Sequence, residues 1–364
     1  MAHGVDFLVR RSDLARTHLA PSTLAPGVAL AEGEALFAVD RFAMTANNVT
    51  YADKGDDLGY WSFFPAADGW GRIPAWGFVT ALDSRHPGVA AGETFYGYVP
   101  MSTYVVMQPQ RVGEGGFVDG VAHRAPLHPL YSQYVRNAND PLYDPALADH
   151  QLLLRPLFIT SFVLDLVLAQ AQVDGARTVV ISSASSKTAY GLAFLLTQRA
   201  LAQRGYAVVG LTSARNLAFV AALGVYDRVL SYDALDTLDA DGPTVYVDFA
   251  ASETVRAELR GRLGSALLRE YAVGFLHRET SDAVSFFAPD EIRAQATALG
   301  RAVFAERFAA AWRAFVRFVA EHPAEPLRVR AERGGAALER VYAALLAGTM
   351  SAREGAVLSL MDNG

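Results

Sequence analysis

Two short stretches of this chain carry the residue types and spacing for nucleotide chemistry. The first is Val179-Val180-Ile181-Ser182-Ser183-Ala184-Ser185-Ser186-Lys187-Thr188-Ala189-Tyr190-Gly191. It reads as a β-branched run, a turn of small residues and the start of a helix. A dinucleotide pyrophosphate needs close backbone approach and a helix N-terminus with unpaired N–H groups. Glycine normally permits that approach. Here Ser and Ala take the glycine places, and the hydroxyls of Ser183, Ser185, Ser186 and Thr188 and the Lys187 ammonium become extra donors. A Ser-rich cap on an ordinary core helix would use the same residues. The second stretch, Gly210-Leu211-Thr212-Ser213-Ala214-Arg215-Asn216, ends the next strand. An NAD site wants an acid there to hold the ribose 2′-hydroxyl. This chain offers Ser213 and Arg215 instead, which suit a 2′-phosphate and point to NADP(H).

Other chemistries fit less well. His123, His128 and His150 lie near Asp140, Asp144 and Asp149 in sequence, but no compact helical ligand pair is formed, and solvated loop histidines are the simpler reading. The serines of the turn lie in no Gly-x-Ser-x-Gly elbow, which argues against a hydrolase.

The elements that must position these residues differ between the two halves of the chain. Up to about residue 112, short apolar runs such as Ala35–Val39, Phe95–Val99 and Thr103–Met107 are punctuated by Gly and Pro, as in a β-barrel or sandwich. Residues 113–151 are polar and rich in Gly and Pro, and read as a lid or connection. From about residue 152 the runs Thr178–Ile181, Ala207–Leu211, Arg228–Leu230, Val245–Val247 and Tyr271–Gly274 alternate with helical segments at 188–203, 216–222 and 253–263. Buried β-branched strands between helices mark a doubly wound parallel sheet. A single helix is expected over 290–321, then strand–helix–strand to the end. Phe286-Phe287-Ala288-Pro289 follows the last sheet strand, where it lines a substrate pocket or packs a junction.

Composition sets the outer limits. The chain has 364 residues, enough for two domains, and its net charge of −6 argues against nucleic acid or an anionic membrane as the main partner. With 0 Cys there are no disulfides, thiolate metal sites or cysteine nucleophiles. No basic-then-apolar leader opens the sequence, and Leu152–Ala171 is interrupted by Arg155, Pro156 and Asp165, so it reads as a buried helix rather than a span. A cytoplasmic location is expected. Only two lysines occur, Lys54 and Lys187, so 30 of the 32 basic residues are Arg.

The chain resembles the medium-chain dehydrogenase/reductase superfamily, and within it the DUF2855 branch. The resemblance rests on Phe42–Tyr51, Leu58–Pro65, Gly71–Phe78, Arg155–Phe162 and the Ser182–Gly191 turn, and spans nearly the whole chain. It implies a GroES-like β-barrel catalytic domain (residues 1–151, including the 113–151 connection), a Rossmann domain (152–324) and a C-terminal strand–helix–strand (325–364) returning to the catalytic domain. It also implies a homodimer. The zinc-dependent members carry cysteine ligands, so the likeness is to the zinc-free quinone and enoyl reductases, and no metal is expected. In some enoyl reductases of this kind a Tyr ahead of a Pro donates to the enolate. Tyr60, five residues before Pro65, falls there; Tyr51 is its rival, and packing in the barrel is the plainer role of either. The same resemblance places Asn48 near the active cleft, where a water it holds is the alternative to Tyr60 as donor to the enolate, and Thr160 near the nicotinamide. It sets Lys187 and Thr188 at the pyrophosphate, and Ser213, Arg215 and Asn216 at the adenosine phosphate.

The expected activity is an NADPH-dependent, zinc-free reduction of a conjugated carbonyl in a small molecule: an enoyl thioester, enone or quinone. The alternative is the same fold without redox chemistry, acting as a lyase, isomerase or ligand-binding protein.

Overall fold

The structure, a computed structural model, describes residues 4–170, 175–198, 205–239, 242–274 and 283–361. It divides into two compact units, one of residues 1–153 with 327–364 and the other of 154–326.

The first unit is built on a mostly antiparallel, GroES-like sheet. Its central strands are Ala35–Met44, Pro74–Ser84 and Thr94–Pro100, paired in that order. These strands are buried at consecutive positions over most of their length, with Leu36, Phe37, Val39, Val79, Phe95 and Tyr98 almost wholly covered. The C-terminal strand Glu354–Ser359 pairs antiparallel with Ala35–Met44, and Arg328–Arg333 runs parallel beside it. A second small sheet, not read from the sequence, joins Val5–Arg10 to Asp13–Pro21 and Trp70–Gly71.

The segment 113–151 is not a free-standing lid. Gly116–Asp119 and Gln133–Arg136 are strands of the main sheet, and Gln133–Arg136 pairs directly with Thr94–Pro100. Each is four residues long, too short to show a period among the surrounding Gly and Pro. Between them runs a 3₁₀-rich excursion that is pinned by Arg124. Its Nε donates to the Phe63 carbonyl at 3.1 Å and its Nη1 to the Tyr134 hydroxyl at 3.0 Å. The same guanidinium pairs with Asp119 at 3.0 Å, both side chains being buried.

The second unit is a six-stranded parallel Rossmann sheet. Its order is Arg228–Ser231, Ala207–Thr212, Thr178–Ile181, Thr244–Asp248, Leu267–Val273, Val284–Phe286. Strand order reverses between Thr178–Ile181 and Thr244–Asp248, so the carboxyl ends of these neighbours form the crevice where such sheets take ligands. The helix Ala148–Gln170 is long and apolar enough, by length and composition, to cross a bilayer. Within the second unit its Phe158 ring lies parallel to Phe315 at 4.2 Å, as in a core helix. The expected single helix over 290–321 is two, Ala288–Leu299 and Arg301–Glu321. Gly300, at φ +83°, breaks it in a conformation other residues resist. The helix expected over 188–203 spans Lys187–Gln198, and its remainder lies outside the described residues.

Candidate active site

In the second unit, the strand Thr178–Ile181 leads into the Ser-rich turn and the helix Lys187–Gln198. Ser183 sits at φ +48°, the left-handed backbone that glycine would adopt without strain. The turn is closed by the Ser186 amide donating to the Ser183 carbonyl at 2.7 Å. The Ser186 hydroxyl then caps the helix by accepting from Ala189 N–H at 3.3 Å. Among the described residues none accepts from the amides of Ser185 and Thr188, which leaves donors for an anion at this helix end. Lys187 and Thr188 open the helix and are both half-buried.

Gly191, one turn into that helix, meets the helix carrying Thr160. A Cβ on Gly191 would lie 2.9 Å from Ser161 Oγ. Ser161 donates to the Thr188 carbonyl at 2.8 Å, and Thr160, its neighbour, is half-buried. Two consecutive helices are thus joined through Ser161 and the Thr188 carbonyl.

The second strand end contributes Ser213, Arg215 and Asn216. The Asn216 amide donates to the Ser185 hydroxyl at 3.2 Å, which joins the two stretches singled out by sequence. Arg215 is exposed, and no described residue pairs with it. A free guanidinium beside Ser213 fits a phosphate monoester. The residues present therefore suit a phosphorylated dinucleotide: amides and hydroxyls at the turn, and a cation at the next strand end.

Three residues of this site were missed in sequence. Tyr232 accepts the Ser183 N–H through its hydroxyl at 2.8 Å, and Tyr226 donates to the Ala184 carbonyl at 3.0 Å. Asp248, fully buried at the end of its strand, accepts from Ser182 Oγ at 2.8 Å and from the Tyr246 hydroxyl at 2.9 Å. Arg256 pairs with its other oxygen at 3.0 Å. Burial pushes the Asp248 carboxyl up, but the hydrogen bonds from Ser182, Arg256, the Ala250 amide and Tyr246 outweigh it and leave the group below its usual range. The Ser182 hydroxyl also accepts from the amides of Phe249 and Ala250 at 2.8 and 3.0 Å. It is fully engaged as a clamp between neighbouring strand ends. The available signal was positional: an acid closing a sheet strand at the switch point.

In the first unit, Tyr51 lies on the helix Ala46–Asp53 and Tyr60 on the 3₁₀ turn Tyr60–Ser62. Their rings stack at 4.5 Å. Tyr98 and Tyr131, neither singled out by sequence, complete the group. Tyr98 lies 4.8 Å from Tyr131 and 6.1 Å from Tyr51, centroid to centroid, and Tyr131 lies 6.3 Å from Tyr60. Burial is the largest cause pushing all four phenols above the ordinary tyrosine value, and their mutual repulsion adds to it for Tyr51, Tyr60 and Tyr98. Asn48 is committed to backbone: its Oδ1 accepts Thr45 N–H at 2.8 Å and its amide donates to the Pro74 carbonyl at 2.9 Å. Among the described residues, no three His, Asp or Glu gather closely enough to hold a metal ion.

The family model described as "Protein of unknown function (DUF2855)" matches residues 42–351. The chain belongs to the DUF2855 family. No curated protein matches it. Among solved structures, CurA from Vibrio vulnificus in complex with NADPH is similar over 95% of each chain, with TM-score 0.55 and 14% identity. The yhdH oxidoreductase from Salmonella enterica in complex with NADP is similar over 98% of this chain and 100% of its own, with TM-score 0.52 and 14% identity. The CurK enoyl reductase is similar over 98% of this chain and 99% of its own, with TM-score 0.54 and 11% identity. The DUF2855 chain thus has the medium-chain dehydrogenase/reductase fold.

Proposed function

We propose that this DUF2855 protein is an NADP(H)-dependent, zinc-independent reductase of a small conjugated carbonyl compound: an enoyl thioester, enone or quinone. The observation that carries the cofactor reading is Arg215. It stands exposed and unpaired after Ser213, where an NAD site would place an acid. The similar folds of CurA with NADPH, the yhdH oxidoreductase with NADP and the CurK enoyl reductase support it.

NADPH, when bound, supplies a hydride to the β-carbon of the acceptor, and the displaced electron pair moves to the carbonyl oxygen. The residues of the chain do the rest. Ser183, Ser185, Ser186, Lys187 and Thr188 hold the pyrophosphate, Ser213, Arg215 and Asn216 hold the adenosine phosphate, and Thr160 borders the nicotinamide. Phenols of the Tyr51–Tyr60 group donate to the oxygen as it becomes an enolate. Kept neutral by burial, they act as donors over the whole working range of pH. Asn48, with its carboxamide tied to Thr45 and Pro74, holds the Tyr51 helix against the sheet rather than a water. The reading also assigns a cytoplasmic homodimer. Exposed Leu268 and Val284, on the strands at one margin of the Rossmann sheet, support a partner at that edge.

One observation favours the non-redox alternative. Tyr232 occupies the Ser183 amide, one of the donors a pyrophosphate would use. A titration with NADPH and NADH, followed by a panel of enones, quinones and enoyl thioesters, separates the two. Reduction with NADPH supports the proposal; binding without oxidation of NADPH across the panel supports the alternative.

A further inference from the structure

The turn over residues 182–186 follows a path that glycine would take freely, yet it contains no glycine. Ser183 stands at φ +48°, where a Cβ crowds the following carbonyl. A residue stays in such a conformation only where its surroundings impose it.

Two tyrosines impose it here. They flank the four-residue strand Arg228–Ser231. Tyr232, directly after the strand, accepts the Ser183 N–H on its hydroxyl at 2.8 Å. Tyr226, two residues before the strand, donates to the Ala184 carbonyl at 3.0 Å. The first bond precedes the Ser183 dihedrals and the second follows those of Ala184, so the two-residue segment is held at both ends. Between them the Ala184 N–H donates to the Leu211 carbonyl at 2.9 Å.

Both tyrosines are themselves fixed. The Tyr232 ring packs on the apolar cluster that contains Val180, Val209, Leu211 and Leu230. Tyr226 is anchored through its neighbour Asp227, whose N–H donates to the Val208 carbonyl at 2.8 Å and whose carboxylate accepts the Val208 N–H at 2.7 Å. The Tyr226 ring lies against Gly210, where a Cβ would stand 2.8 Å from Tyr226 Cδ1 and 2.9 Å from Ala184 Cβ. Room that a glycine would have made inside the turn is thus made by Gly210 on the neighbouring strand.

We infer that Tyr226 and Tyr232 are positioning residues for the dinucleotide: together they hold Ser183 and Ala184 in the left-handed turn that presents the Ser185 and Thr188 amides to the pyrophosphate. The inference rests on the reading of this turn as the cofactor site. Tyr232 is then a partner of the turn and not a competitor of phosphate for the Ser183 amide. The pyrophosphate is common to NADPH and NADH, so the two tyrosines serve both nucleotides alike, in contrast to Arg215.

The test is a double-mutant cycle on the full-length protein, read by fluorescence titration with NADPH and NADH and by urea denaturation without nucleotide. Tyr226→Phe and Tyr232→Phe keep the rings and remove one hydrogen bond each. Each should weaken both nucleotides equally, by about five- to tenfold. Made on top of Ser183→Gly, whose backbone reaches the left-handed region without a steric cost, Tyr232→Phe should cost less than about twofold. The urea midpoint should follow the same pattern, falling for Tyr232→Phe alone and falling less on top of Ser183→Gly. Tighter NADPH binding by Tyr232→Phe would make the phenol a competitor for the amide and overturn the assignment. Losses that are the same with and without Ser183→Gly would overturn it too. If the wild type binds neither nucleotide while the urea cycle runs as described, the cofactor reading fails and the tyrosine clamp on Ser183 stands.

Discussion

Tyr51 and Tyr60 stack with ring centroids 4.5 Å apart and planes inclined by 26°. The two candidates that sequence offered as rivals are one structural unit. Their surroundings nonetheless differ: Tyr60 is sealed, at 2% exposure, whereas Tyr51 is half-buried. Tyr51→Phe should therefore lower the rate of acceptor reduction by about 10²-fold. Tyr60→Phe, which removes the hydroxyl of a sealed ring, should lower it by less than tenfold. Steady-state rates at saturating NADPH measure both; the reverse ranking would make Tyr60 the substrate-facing donor.

Arg215→Ala should discriminate between nucleotides. Losing one charge-assisted contact to a phosphate costs about 1.5–3 kcal/mol, or roughly 10- to 150-fold in affinity. NADPH binding should weaken by that factor and NADH binding should not change. Fluorescence titration of both nucleotides decides it, and an equal loss for the two would remove Arg215 from the phosphate.

The phenol cluster fixes a pH dependence. Burial pushes Tyr51, Tyr60, Tyr98 and Tyr131 above the ordinary tyrosine value of about 10. They are neutral donors below it, so turnover should show no tyrosine-linked decline up to about pH 10. An ultraviolet difference titration should find them un-ionised in the same range. A basic limb with an apparent pKa near 8 that Tyr51→Phe abolishes would contradict this.

Asp248 links the site to stability. Its folded pKa lies below the unfolded value, so its contribution is complete above about pH 4 and is lost as pH falls through the folded value. Asp248→Asn leaves the buried Arg256 short of one charge and should cost about 3 kcal/mol at pH 7. The deficit should shrink as pH falls below about 4, where the wild-type carboxyl also takes up a proton. Urea denaturation at several pH values measures it; a deficit independent of pH would assign the loss to packing alone.

Much of this was legible in the residues. The Rossmann strands announced themselves because parallel strands buried on both faces are continuous runs such as Thr178–Ile181 and Val245–Val247. The turn and the Arg215 stretch were found because phosphate chemistry is local in sequence. The phenol group was half-legible. Tyr51 and Tyr60 lie in one motif region, whereas Tyr98 sits on a barrel strand and Tyr131 on an excursion among Gly and Pro. Only strand pairing of Gln133–Arg136 with Thr94–Pro100 brings those two segments side by side. Asp248 was passed over because its role depends on Ser182, 66 residues away. The Gly300 break was hidden by an apolar period that continues through it.

The most direct test of the whole account is nucleotide oxidation by the purified protein. NADPH and NADH are supplied in turn with a panel of enones, quinones and enoyl thioesters, after exhaustive chelation. The account predicts acceptor-dependent oxidation of NADPH that survives chelation, with NADH at least tenfold less effective, since it lacks the phosphate that Arg215 would bind. Oxidation of neither nucleotide with any acceptor, or activity that disappears on chelation and returns with zinc, would contradict it.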